Sequence, residues 1–159
     1  MKKILSTLII MTITLLTIGN VWADGVADAR AFFNSYVQAA NSYSSTVANM
    51  YSPNAKIIRQ VVKPDGTTAN AYTDTATYVK QMRLSQAAAK VKKYKNYYSN
   101  ITVTDLGNGK YKVSSLRQPT GETYKLKTYM ILQRQNNGSF KIVEEMMQTK
   151  QQIFLKYAK

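Results

Sequence analysis

The chain contains no cysteine and no histidine in 159 residues. The first absence removes disulfides, thiol nucleophiles and thiolate metal sites. The second removes the side chain that most often moves protons near neutrality and most often ligates transition metals. Acids are scarce as well: eight Asp and Glu stand against 22 Lys and Arg, a formal net charge of +14. Glu144 and Glu145 are the one adjacent acidic pair. Successive residues of a strand face opposite sides, so the two cannot act together on one substrate. The glycines form no phosphate-loop pattern. Neither a metal nor a cofactor is expected.

Long apolar runs are also lacking, with one exception at the start. Lys2 and Lys3 precede the run Ile4 to Ile18, and Val21-Trp22-Ala23 then places small side chains before Asp24. This is the three-part pattern of an export signal. The run is shorter than the roughly 20 apolar residues that cross a bilayer, so cleavage near Ala23 is preferred over a retained anchor. Residues 1–23 read as signal peptide and residues 24–159 as one domain, periplasmic or secreted. A basic exported domain attracts anionic partners: phospholipid head groups, glycans or an acidic protein, with nucleic acid set aside by the compartment. The plainer alternative is that the lysines serve solubility.

What the sequence does have is tyrosine, 12 in all, and a clear order of elements. Phe32, Phe33, Tyr36, Val37, Ala40, Tyr43 and Val47 recur at helical spacing. Asn41 to Ser45 reads as a break, with Ser44 or Ser45 capping a second short helix through Met50. Ala55 to Lys63 and Thr68 to Tyr72 are strands around the turn Pro64-Asp65-Gly66-Thr67. Asp74 is placed to cap a third helix carrying Tyr78 and Met82. From Tyr98 the period becomes two: Tyr98 to Asp105, Lys110 to Leu116, then a long hairpin reversing at Asn136-Asn137-Gly138. In its first arm Tyr124, Leu126, Thr128, Met130 and Leu132 share a face. In its second, strict alternation groups Phe140, Ile142, Glu144 and Met146. Residues 148–159 could continue the strand or form a terminal helix. Helices followed by an antiparallel sheet give an α+β domain.

Three segments resemble the nuclear transport factor 2-like superfamily and its SnoaL-like branch. Phe32 to Tyr36 and Ala48-Asn49-Met50-Tyr51-Ser52-Pro53-Asn54-Ala55 are similar to the family's helix, break, helix and Tyr-x-Pro-Asp-Ala entry into the first strand, with Asn54 for the commoner Asp. The hairpin and third helix, Ala55 to Ala89, follow in the family's order. Gly138-Ser139-Phe140-Lys141-Ile142-Val143-Glu144 is similar to its terminal Gly-x-Trp-x-Ile strand, with Phe140 for Trp. The resemblance implies a cystatin-like curved antiparallel sheet wrapped by about three helices into a cone. It further implies a ligand pocket at the cone's mouth and, for the sheet's outer face, a homodimer contact. The fold hosts dehydratases, isomerases and non-enzymatic binding domains, so it does not fix a function.

On this basis the expected pocket is lined by Tyr36, Tyr43, Tyr51, Tyr78, Met82, Tyr129, Met130, Ile142, Glu144 and Met146. Tyr and Met walls suit an apolar or amphipathic ligand. The preferred function is non-catalytic binding of such a molecule, or of a partner, by an exported basic domain. One alternative is an isomerase or dehydratase using Glu144, a buried base or hydrogen-bonding group, with tyrosine hydroxyls. The plainer role for Glu144 is a solvent-facing or salt-bridged carboxylate, paired with Arg59 or Arg117. A further alternative is an assembly module of an envelope complex. Lys90, Lys92, Lys93 and Lys95, interleaved with tyrosines, are the expected contacts to an anionic lipid or glycan surface; a solvated helix end is the plainer reading.

Overall fold

The computed structural model describes residues 23–158, and the side chains from Gly25 onward. The signal-peptide assignment therefore lies outside the described residues. Helix α1 (Ala23–Asn41) opens the domain. Its apolar stripe buries Ala29, Phe33 and Tyr36, with Phe32, Val37 and Ala40 packed beside them. A 3-10 turn, Ser45–Met50, follows; the Ser44 hydroxyl accepts from the Thr46 amide, as an N-cap should. Strand β1 (Tyr51–Val62) begins at once, earlier than the expected Ala55. It turns back into β2 (Thr68–Thr73). Asp74 then caps α2 (Thr75–Val91) by accepting from the Thr77 amide at 2.8 Å.

Four strands complete the chain: β3 (Asn96–Gly107), β4 (Lys110–Pro119), β5 (Leu126–Arg134) and β6 (Phe140–Thr149). The β5–β6 reversal puts Gly138 at φ 83°, a conformation glycine adopts freely. Past Thr149 a 3-10 turn, Gln152–Tyr157, folds over β1 and β2, with a bridge between Ala71 and Ala158. The tail thus divides its residues between the two forms left open by the sequence.

The six strands form one sheet in the order β2-β1-β6-β5-β4-β3. It is not purely antiparallel: β1 and β6 run parallel, bringing the first strand beside the last. Helix α1 covers β3 and β4, α2 leans on β1, and the core fills the hollow between helices and sheet. Aromatic rings carry much of that filling. Phe33 meets Tyr98 edge-on at 5.3 Å between centroids, Tyr51 meets Tyr78 at 5.4 Å and Tyr111 meets Phe140 at 5.7 Å. Such geometry adds about 0.5–1.5 kcal/mol per pair beyond burial.

One irregularity decides the site. In β6 the register steps from Leu132–Ile142 to Ile131–Glu144, so Val143 is an extra residue with no partner on β5. A bulge of this kind holds two residues on one side and reverses the alternation beyond it. Before it, Phe140 and Ile142 face the core; after it, Glu145, Met147 and Thr149 do. Glu144, Met146 and Gln148 face outward. Strict alternation gave the opposite assignment.

Candidate functional site

The inner face of the sheet is assembled from register partners. Ile57 of β1 sits beside Glu145 of β6, and Arg59 beside Met147. Glu145 is 0% exposed, yet it is fully partnered. Arg59 Nη1 donates to Oε1 at 2.9 Å, the Tyr78 hydroxyl donates to the same oxygen at 3.3 Å, and the Tyr51 hydroxyl donates to Oε2. The hydroxyls of Tyr36 and Tyr51 stand 3.4 Å apart. Because the single proton of Tyr51 goes to Glu145, Tyr36 is the donor of that contact. A buried carboxylate is thus neutralised by an arginine and surrounded by phenols, the arrangement that buried charge requires.

The electrostatics follow from enclosure. Burial pushes the Tyr36 and Tyr51 hydroxyls well above the ordinary tyrosine range, and the negative charge of Glu145 pushes them further. Tyr78 rises for the same two reasons in the same order. Burial also raises Tyr98, the fourth ring of the group, against the opposing charge of Arg117. All therefore remain protonated donors. Burial works against the charge of Arg59, but Tyr78 and Glu145 outweigh it, and its pKa is raised.

Arg59 links this buried network to an opening. Its side chain is 15% exposed, and the Tyr78 ring lies 4.8 Å below its guanidinium carbon. Nη1 is committed to Glu145 and to the Ile58 carbonyl at 3.2 Å. Nη2 and Nε donate to no protein atom among the described residues. The Arg59 side chain helps to line a cleft of about 280 Å³ between β1, α2 and the C-terminal turn. Ile57, Tyr78, Met82 and Phe154 supply its apolar wall, and Thr73, Gln81 and Ser85 its polar rim.

The expected pocket is therefore partly assembled and partly redistributed. Tyr36, Tyr51 and Tyr78 meet at Glu145, while Tyr78 and Met82 line the cleft. Met130 and Ile142 point inward but are sealed in the core, 1% and 0% exposed. The side chain of Tyr43 is half-buried with its hydroxyl unpartnered, and its carbonyl accepts from Gln86 of α2. Tyr129, Glu144 and Met146 are corrections. All three lie on the outer face, where the Tyr129 hydroxyl donates to Glu144 at 2.6 Å and Lys56 approaches the same carboxylate at 3.9 Å. The bulge at Val143 moves Glu144 and Met146 out; Tyr129 sits opposite Met146, alternating with the inward Met130. Glu144 thus has a structural partner, but Lys56 rather than Arg59 or Arg117. Lys90, Lys92, Lys93 and Lys95 are exposed around the C-terminus of α2, clear of the cleft.

Glu145 is absent from the expected pocket, and Arg59 stands in the sequence only as a possible partner of Glu144. Arg59 lies between the doublets Ile57-Ile58 and Val61-Val62, which hide the phase of β1. Among the described residues, no cluster of metal-ligating side chains is present, and no helix is long and apolar enough to cross a membrane.

No family model and no curated protein matches the chain. Solved structures do. A protein of unknown function from the DUF3225 family of Pectobacterium atrosepticum is 21% identical, with a TM-score of 0.56 over 79% of this chain and 91% of that one. Nuclear transport factor 2 from Cryptosporidium parvum gives 0.56 at 13% identity, over 79% and 94%. A domain of unknown function with a cystatin-like fold from Nostoc punctiforme gives 0.55 at 16%, over 85% of each. The chain has the nuclear transport factor 2-like, cystatin-like fold.

Proposed function

We propose that this protein is a non-catalytic binding domain that takes a small amphipathic anion in the Arg59 cleft. The observation that carries the reading is Arg59 itself. Its charge is fixed by Glu145 while its side chain lines an opening with Ile57, Met82 and Phe154. A guanidinium presented this way suits a carboxylate or similar head group, and Ile57, Met82 and Phe154 suit a short hydrocarbon tail. The cleft lies just below the roughly 300–1,000 Å³ usual for small-molecule sites, so the ligand is small. An exported setting, with anionic envelope molecules at hand, fits the basic composition.

The catalytic alternative loses its named acid, since Glu144 faces outward. Glu145 cannot replace it in this conformation: it is sealed from the cleft and its oxygens are taken by Arg59, Tyr51 and Tyr78.

Calorimetric titration with octanoate and, separately, 1-octanol tests the proposal. Octanoate should bind one to one, at least about tenfold tighter than the alcohol, as expected for a charge-assisted contact. Met82→Trp, which fills the cleft, should abolish binding while leaving the unfolding temperature near that of the wild type. Equal affinity for acid and alcohol, or undiminished binding in the Trp variant, would sink the proposal.

A further inference from the structure

Helix α2 carries an apolar stripe that the fold does not use. Its inner face is engaged along its length: the Tyr78 hydroxyl donates to Glu145, Met82 packs against the core and Gln86 Nε2 donates to the Tyr43 carbonyl. These contacts fix which side chains turn outward. At about 3.6 residues per turn, Lys80, Leu84, Ala87 and Val91 fall on one line on the opposite side, and all four are exposed. Leu84 is 74% and Val91 84% exposed, the highest values of any large apolar side chain among the described residues. They stand two helical turns apart, about 10 Å along the axis. Apolar side chains scattered singly over a surface need no explanation. A pair in register on one line, turned away from the core, does. Valine is also a weak helix former, so helix formation does not account for Val91.

The charge around the stripe has one sign. No Asp or Glu occurs between Asp74 and Asp105, while Lys80, Arg83, Lys90, Lys92, Lys93 and Lys95 all fall within that segment. All six are exposed, and none makes an ion pair among the described residues. Lys80 lies in line with the stripe, Arg83 and Lys90 run along one flank of it, and the other three follow the end of the helix at Val91. Long basic side chains in this position reach charged head groups while the apolar residues beside them enter the hydrocarbon boundary.

We propose that the outward face of α2 is a membrane-docking surface, in which Leu84 and Val91 insert at the hydrocarbon boundary of a bilayer rich in anionic phospholipid and the surrounding cations bind its head groups. The cations supply the attraction, and the two apolar side chains separate a bilayer from other anionic partners. A glycan or other polyanion would pair with the lysines and leave Leu84 and Val91 in water. A globular protein partner would need apolar contacts gathered into the centre of a patch, whereas here they form a thin line on a convex helix. The surface does not depend on the Arg59 cleft, to which the same helix contributes Tyr78, Gln81, Met82 and Ser85.

Tryptophan reporters in the full chain test the proposal, in a Trp22→Phe background that removes the one native tryptophan. With phosphatidylglycerol vesicles at low ionic strength, Leu84→Trp and Val91→Trp should each show blue-shifted emission and quenching by brominated acyl chains. Asn136→Trp, at the exposed β5–β6 reversal, should show neither. Phosphatidylcholine vesicles should shift none of the three. Leu84→Asp added to the Val91→Trp protein should raise the lipid concentration at half-shift at least about tenfold. Octanoate binding should be unchanged by Leu84→Asp, so failure here is separable from failure of the octanoate experiment. Retention on vesicles with both stripe reporters still in water would assign the basic face to polyanions and overturn the proposal. Equal shifts in the Asn136→Trp protein, or a half-shift concentration unmoved by Leu84→Asp, would overturn it too.

Discussion

Glu144 and Glu145 are identical side chains at consecutive positions, yet their surroundings demand different responses to the same substitution. Glu145→Gln removes the charge that compensates Arg59 in a closed interior. Breaking a buried pair from one side costs about 3–5 kcal/mol. Glu144→Gln perturbs a 3.9 Å contact with an exposed lysine, an interaction worth about 0–1 kcal/mol. Urea unfolding of the two variants should differ accordingly; equal losses would contradict the phase reversal at Val143. The buried phenols make a second prediction at this scale. Folded Tyr36, Tyr51, Tyr78 and Tyr98 have pKa values raised above the ordinary 10.0, chiefly by burial. Above that pH the unfolded chain has lost protons that the folded chain retains. Stability should therefore be fully present below about pH 10 and fall as pH rises beyond it. Tyr98→Phe should make the fall shallower; a flat profile through that range would show the rings are not closed off.

At the scale of elements, the strongest packing constraint sits in the first turn of α1. A Cβ at Gly25 would come within 2.7 Å of Tyr111 Cζ, and Tyr111 is only 1% exposed with no room to withdraw. Gly25→Ala should lower stability by about 1–3 kcal/mol through overpacking, although alanine is the better helix former. A thermal melt that rises instead would mean the helix start does not lie against Tyr111. Elements also mark how far the sequence could be read. The order of helices and strands, the Ser44 and Asp74 caps and the Gly138 reversal were legible because each rests on local periodicity or turn chemistry. Two features were not local. The parallel pairing of β1 with β6 joins chain segments that carry no mutual signal. The bulge leaves no mark in Ile142-Val143-Glu144-Glu145, where apolar and acidic residues come in doublets and either phase fits. The consequence was to exchange Glu145 for Glu144 and to draw Met146 inside. The Arg59–Glu145 pair was hidden by the same two features, since it forms across the parallel seam and just beyond the bulge.

For the whole molecule, charge acts at two ranges. The net charge of +14 creates a long-range attraction for anions, and Lys90, Lys92, Lys93 and Lys95 expose part of it at one helix end. Retention on phosphatidylglycerol vesicles is expected at low ionic strength, weakened in the variant with all four lysines changed to Gln. It should be lost in salt of about 1 M, where the Debye length is near 3 Å. The Arg59 contact, made at short range in a partly buried cleft, should persist under the same salt. Loss of both together would mean that octanoate is held by the general field.

An amphipathic anion in the proposed site would occupy the cleft bounded by Ile57, Arg59, Tyr78 and Met82. Intermolecular nuclear Overhauser effects from carbon-13-labelled octanoate test it most directly. Contacts are expected from the alkyl chain to the Met82 and Ile57 methyl groups and the Tyr78 ring. Contacts to the exposed side chains of Leu84 and Val91, or to Met146 on the outer face of the sheet, would contradict it.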